Sequence, residues 1–120
     1  MALTSEQVKQ VYQVAKKIYE GSVSAVDGVE CMFQQHAMNK GTARIFISVF
    51  PKLREGQLYK YGLAGMPMDY FLTRVLIDYG KAGLLNALNA FKSHIEYYED
   101  RRKTNMNLLR EIYKKHLGFL

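Results

Sequence analysis

The chain has 120 residues, the length of one domain that buries about two thirds of the surface its unfolded form exposes. Apolar residues make up 48% and charged residues 23%, which excludes disordered and collagen-like chains. Seventeen Lys and Arg against eleven Asp and Glu leave +6, a surplus that favours phosphate backbones or acidic partners, and the single cysteine excludes an internal disulfide.

Thr4 and Gln7 have the spacing of a capping box. Val8, Val11, Tyr12, Ala15, Ile18 and Tyr19 then recur at helical intervals, and Gly21 offers a left-handed stop, so a helix is predicted from about Ser5 to Glu20. Ser24 is the next N-cap candidate. It precedes an inner stripe of Val26, Val29, Met32 and Phe33 that ends near His36. Met38-Asn39-Lys40-Gly41 reads as a turn because Asn and Gly tolerate positive φ, and Thr42 opens a short apolar helix through Phe50. Pro51 has no N–H for residue 47, which predicts a stop or kink.

Periodicity fades from Lys52 to Gly65, where Leu58 to Tyr61 has the look of a short extended piece. Pro67 suits the first turn of a helix whose inner face is Met68, Phe71, Leu72, Val75, Leu76 and Tyr79, ending at an Asp78-Tyr79-Gly80 turn. Leu84, Leu88, Phe91, Ile95 and Tyr98 step by fours and threes along the next helix. Thr104 and Asn105 lead to a last one with Met106, Leu109, Ile112, Tyr113 and Leu117 inward. Six helices without sustained alternation predict an all-α fold: a compact bundle of about six helices containing a helix-turn-helix-like unit, one domain over residues 1–120.

Catalytic patterns are missing. Cys31 and His36 are five residues apart, about 500° of helical turn, so they cannot form a nucleophilic pair, and Cys31 is expected as a small buried thiol. His36, His94 and His116 lack metal-ligand spacing and read as boundary residues. Glu96, Glu99 and Asp100 imitate a carboxylate cluster, but Glu99 has Lys103 at i+4 as a surface partner. No phosphate-gripping glycine motif occurs. The expectation is a protein that is not an enzyme, with no cofactor and no metal.

The constellation that points to a partner is the second and third helices with their turn. Lys40, Arg44, Ser48 and Lys52 recur at intervals of four and share one face of the second of these, with Ile45, Phe46 and Val49 behind. Arg44 and Ser48 stand where base edges would be read, and Thr42 where it could donate to phosphate from the helix N-terminus. Tyr59-Lys60-Tyr61 interleaves a cation with aromatics in a glycine-bounded loop, the composition that stacks on exposed bases. Arg101, Arg102 and Lys103, with Arg110, Lys114 and Lys115 beyond, suggest a basic ridge. The first sixty residues carry eight basic and five acidic groups and the second sixty nine and six, so each half is +3 and any patch has to be assembled by folding.

The runs Ala15-Lys16-Lys17-Ile18-Tyr19-Glu20-Gly21, Met38-Asn39-Lys40-Gly41-Thr42-Ala43, Tyr70-Phe71-Leu72 with Asp78-Tyr79-Gly80, and His94-Ile95-Glu96-Tyr97-Tyr98-Glu99 together resemble a helical module. It is the N-terminal module associated with bacterial restriction endonucleases whose nuclease is an HNH domain, and the similarity spans most of residues 8–100. The resemblance implies DNA recognition or assembly in restriction and defence, beside a partner nuclease, without catalysis in this chain. In place of a polar Arg-Thr-x-Asn-like stretch after Tyr59 the sequence has Lys60-Tyr61-Gly62-Leu63-Ala64.

The sequence thus predicts a cytoplasmic, non-catalytic DNA-binding or DNA-targeting module. Its N-terminal region, with Glu6, Lys9, Lys16 and Lys17 spread through it, lacks a secretory pattern, and no apolar run approaches a membrane span. The alternative is a protein–protein interaction or homo-oligomerisation module, such as a homodimer, drawing on six methionines, nine tyrosines and the Leu117-Gly118-Phe119-Leu120 end.

Overall fold

The computed structural model describes residues 3–63 and 65–120, and every regular element among them is an α-helix. Ala64, the last residue of the departing stretch, lies outside them. The helices are α1 (Ser5–Tyr19), α2 (Ala25–His36), α3 (Lys40–Glu55), α4 (Gly65–Arg102) and α5 (Asn107–Leu117). They cluster into two units, Met1–Pro51 and Lys52–Leu120, with the division inside α3.

In the first unit Thr4 and Gln7 form the expected box: the Thr4 hydroxyl accepts from the Gln7 N–H, and the Gln7 side chain accepts from the Thr4 N–H, both at 3.0 Å. The Gln7 amide also donates to the His36 carbonyl at 2.9 Å, tying the start of α1 to the end of α2. Ser24 caps α2 by accepting from the Asp27 N–H. Gly28 lets the two helices approach, for a Cβ there would stand 2.6 Å from Ile18 Cδ1 and 2.8 Å from Val14 Cγ1. The inner face of α2 therefore centres on Gly28, Val29 and Met32. Val26 and Phe33, expected inside, are 74% and 49% exposed.

The turn into α3 also differs from expectation. Positive φ falls on Ala37 (54°), not on Asn39 or Gly41. Asn39 serves as a cap, its Oδ1 accepting from the N–H groups of Gly41 (2.8 Å) and Thr42 (3.3 Å), so α3 begins at Lys40. At its far end α3 runs through Pro51 to Glu55. Phe50 and Leu53 on either side of the proline are fully buried, and that burial offsets a helix penalty of about 3 kcal/mol.

In the second unit Gly56, at φ 70°, closes α3, and the Asn86 amide donates to the exposed-end carbonyl of Arg54 at 3.2 Å. Residues 57–63 form a loop without strand character. The two helices expected on either side of Asp78-Tyr79-Gly80 run together as α4, where Gly80 alone is non-helical (φ 73°, ψ −169°); five elements therefore stand in place of about six. Met68, Phe71, Leu72, Val75, Leu84, Leu88, Phe91 and Ile95 form its buried face as the spacing predicts. Against α4 packs α5 through Leu109, Ile112 and His116, steps of three and four that turn Leu117 outward to 44% exposure.

Two of the three histidines, expected at boundaries, are core residues: His94 is 1% and His116 0% exposed. His116 is accommodated because its Nε2 meets Asp69 Oδ1 at 2.6 Å. Cys31, expected to be buried, is half-buried. Among the described residues no helix is long and apolar enough to cross a membrane.

Candidate nucleic-acid interface

Cutting the chain at the boundary between units, rather than at its midpoint, shows an uneven charge. Lys52–Leu120 holds twelve Lys and Arg against seven Asp and Glu, a net +5, which leaves +1 on Met1–Pro51. The attraction for a polyanion resides in the second unit.

There, the loop at 57–63 is pinned at two points. Tyr59 and Leu63 are buried, whereas Lys60, Tyr61 and Gly62 are exposed. Tyr59 was expected to offer a stacking face, and the structure corrects this. Its ring lies on His94 with centroids 4.3 Å apart and planes 11° from parallel, and its hydroxyl reaches Met68 Sδ at 3.5 Å. Burial pushes the Tyr59 phenol well up from its ordinary value, so it stays neutral. His94 Nδ1 sits 2.6 Å from the Tyr59 carbonyl oxygen. A carbonyl only accepts, so Nδ1 carries the proton. Burial lowers the His94 pKa from its ordinary value, against the opposing pull of that carbonyl.

Beyond His94 the aromatic row continues along α4. Tyr98 is tilted on His94 at 4.8 Å, and Tyr97 meets Tyr98 edge-on at 5.8 Å. Cations cover these rings. Lys60 Nζ and the Arg101 guanidinium carbon both stand 5.5 Å from the Tyr97 centroid, and Arg102 stands 4.9 Å from that of Tyr98. Lys60 and Arg101 come from segments forty-one positions apart and converge on one ring. Lys103, the third basic residue of the run, ends α4 at φ 52° and pairs with Asp100 at 3.7 Å, not with Glu99 as expected. Tyr97 and Tyr98 did not figure among the expected site residues. The signal was nonetheless present: Tyr97 to Arg101, Tyr98 to Arg102 and His94 to Tyr98 are all i,i+4 pairs on one helix.

The basic ridge expected farther on is largely neutralised. Arg110 grips Glu99 with two N–H groups, Nε to Oε2 at 2.7 Å and Nη2 to Oε1, while the Met106 N–H donates to Oε2 at 3.0 Å. Arg110 and that backbone N–H hold the Glu99 carboxyl at about 2, far below its usual range, and Glu99 raises Arg110 in turn. Lys115 is bound to Asp69 at 3.0 Å. Burial acts against the Asp69 carboxylate, but hydrogen bonds from His116 and Lys115 bring its pKa below the usual value.

In the first unit α2, the turn at Ala37–Asn39 and α3 have the connectivity of a helix-turn-helix. Its expected readers are mostly engaged. Lys40 Nζ is 2.6 Å from Glu30 and lies over the Phe33 ring at 4.9 Å. That ion pair lowers the Glu30 pKa. The Thr42 N–H is taken by Asn39, and the Ser48 hydroxyl donates to the Ile45 carbonyl at 2.8 Å. Among the described residues Arg44 has no ion-pair partner. With Ser48 it borders a groove of about 300 Å³ that Val26, Val29 and Ile47 line. Lys52, the fourth of the expected face, falls in the second unit and donates to Gln57 at 3.2 Å.

Among the described residues no three His, Cys, Asp or Glu side chains gather as a metal ion would require. Set against known protein families, curated proteins and solved structures, the chain matches none.

Proposed function

We propose that the chain is a non-catalytic DNA-binding module whose contact surface is built by Lys60 and Tyr61 of the loop together with Arg101 and Arg102 at the end of α4. The observation that carries this reading is the convergence of Lys60 and Arg101 on Tyr97, with Arg102 on Tyr98 beside it. Among the described residues none of these three cations has a carboxylate partner, and they lie in the unit that holds +5 of the +6. Unpaired cations release counterions from phosphate on binding, whereas paired ones such as Arg110 have already been neutralised. The resemblance to the helical module of HNH restriction endonucleases fits the same reading, in which a nuclease partner supplies the chemistry.

DNA binding measured by fluorescence anisotropy across a salt series tests it. Affinity falls steeply with salt, and Lys60→Ala, Arg101→Ala and Arg102→Ala each flatten the log–log slope by about 0.7–0.9. Arg44→Ala leaves both affinity and slope within about twofold. Absence of any salt-sensitive binding at micromolar protein defeats the proposal.

A second reading, association with a protein or a second copy, is favoured by a groove of about 360 Å³ lined by Met66, Leu108 and Ile112. Leu108 is 60% exposed there. Light scattering with Leu108→Glu decides it: a dimer abolished by this change, with no DNA binding in the parent chain, selects this reading.

A further inference from the structure

Resting on the DNA-binding reading, we infer that the surface takes unpaired DNA, stacking bases on the exposed Tyr61 ring while Lys60, Arg101 and Arg102 hold the phosphates of the same strand. Tyr61 is 69% exposed and is held out by its buried neighbours Tyr59 and Leu63. Arg101 and Arg102 are exposed, and their guanidinium carbons stand 5.5 Å from the Tyr97 and 4.9 Å from the Tyr98 ring centroid. An exposed aromatic ring with cations close by is the combination on which an extruded base stacks while its phosphate is held. Duplex DNA hides its base faces and offers only edges and phosphates, so the exposed Tyr61 ring gains little from it.

The helix that would read a duplex points the same way. Of its expected groups, Lys40 is bound to Glu30 and Ser48 to a backbone carbonyl. Arg44 and the Glu30 carboxylate line the same groove, and a carboxylate beside the reader repels a phosphate backbone. The first unit adds only +1 to steer a duplex. Recognition by stacking around Lys60 needs neither a groove nor that helix.

The experiment compares a labelled oligothymidine of about 16 nucleotides with a mixed-sequence duplex of the same length, using the full chain at about 50 mM salt. The single strand is expected to bind at least tenfold tighter. Tyr61→Ala lowers that affinity by about five- to a hundredfold, Tyr61→Phe restores it, and Arg44→Ala leaves it unchanged. Because Tyr61 is 69% exposed, circular dichroism of its variants matches the parent. A duplex bound as tightly as the single strand, or more so, overturns the strand preference while the DNA-binding reading stands. An unaffected Tyr61→Ala overturns the stacking role. Binding to neither probe overturns both the inference and the reading beneath it.

Discussion

His94 lies parallel to the Tyr59 ring, 4.3 Å away, and donates its Nδ1 proton to the carbonyl oxygen of that same residue at 2.6 Å. One side chain of α4 thus holds both the ring and the backbone of the residue that anchors the loop. Because burial depresses its pKa below the ordinary 6.5, the unfolded chain takes up this proton before the folded one does. The contribution of neutral His94 is complete above pH 6.5 and declines as pH falls below it. Urea midpoints taken between pH 8 and 5 are expected to drop on the acid side. His94→Asn, whose amide keeps a donor for the carbonyl, flattens that part of the curve; an unchanged curve removes His94 as its source.

Gly62 follows from the same contact. A Cβ there would stand 2.8 Å from His94 Nε2, and the imidazole cannot yield because Tyr59 holds it on two sides. Gly62→Ala destabilises the chain by about 1–3 kcal/mol, the usual cost of overpacking. In the His94→Ala background the same change costs less than half as much, a coupling that a double-mutant cycle in urea reads directly.

Gly28→Ala tests the approach of α1 and α2. Alanine favours a helix by about 0.8–1 kcal/mol over glycine, but the new methyl meets Ile18 Cδ1 at 2.6 Å and Val14 Cγ1 at 2.8 Å. The Ile18 methyl swings aside readily, and the branched Val14 does not. The net expectation is a loss of about 1 kcal/mol in thermal or urea unfolding, reduced when Val14→Ala is added.

Glu99→Gln tests the clasp between α4 and α5. The amide still accepts from the Met106 N–H but no longer pairs with Arg110. With the Glu99 carboxyl held at about 2 against an ordinary 4.5, its ion pair stabilises the folded chain above pH 4.5 and is lost as pH falls toward 2. The variant is therefore less stable than the parent at pH 7, and the difference shrinks through that acid window. Hydrogen exchange of the amides around Met106 reports the same loosening.

Much of the helical skeleton was readable because capping and spacing are local. Thr4 with Gln7, Ser24 and the stripe from Leu84 to Ile95 need no knowledge of the rest of the chain. Expectation failed where a tertiary partner decided the outcome. Pro51 reads as a break, but the burial of Phe50 and Leu53 carries α3 through it. His116 reads as a boundary residue until Asp69, forty-seven positions earlier, is seen to meet it. The site was half legible. Lys60, Tyr61, Arg101 and Arg102 stand out as basic and aromatic runs, yet whether a tyrosine faces solvent or core depends on what lies behind it. Behind Tyr59 lies His94, whereas Tyr61 is left 69% exposed. Lys40 and Arg110 resemble the unpaired cations in composition alone, and only folding brings Glu30 and Glu99 to neutralise them.

The two buried ends of the loop, Tyr59 and Leu63, leave Lys60 and Tyr61 between them as positions whose side chains the core does not use. Sequence can drift at that tip while the scaffold beneath stays constant. A library randomised at these two codons alone is expected to retain folded members throughout.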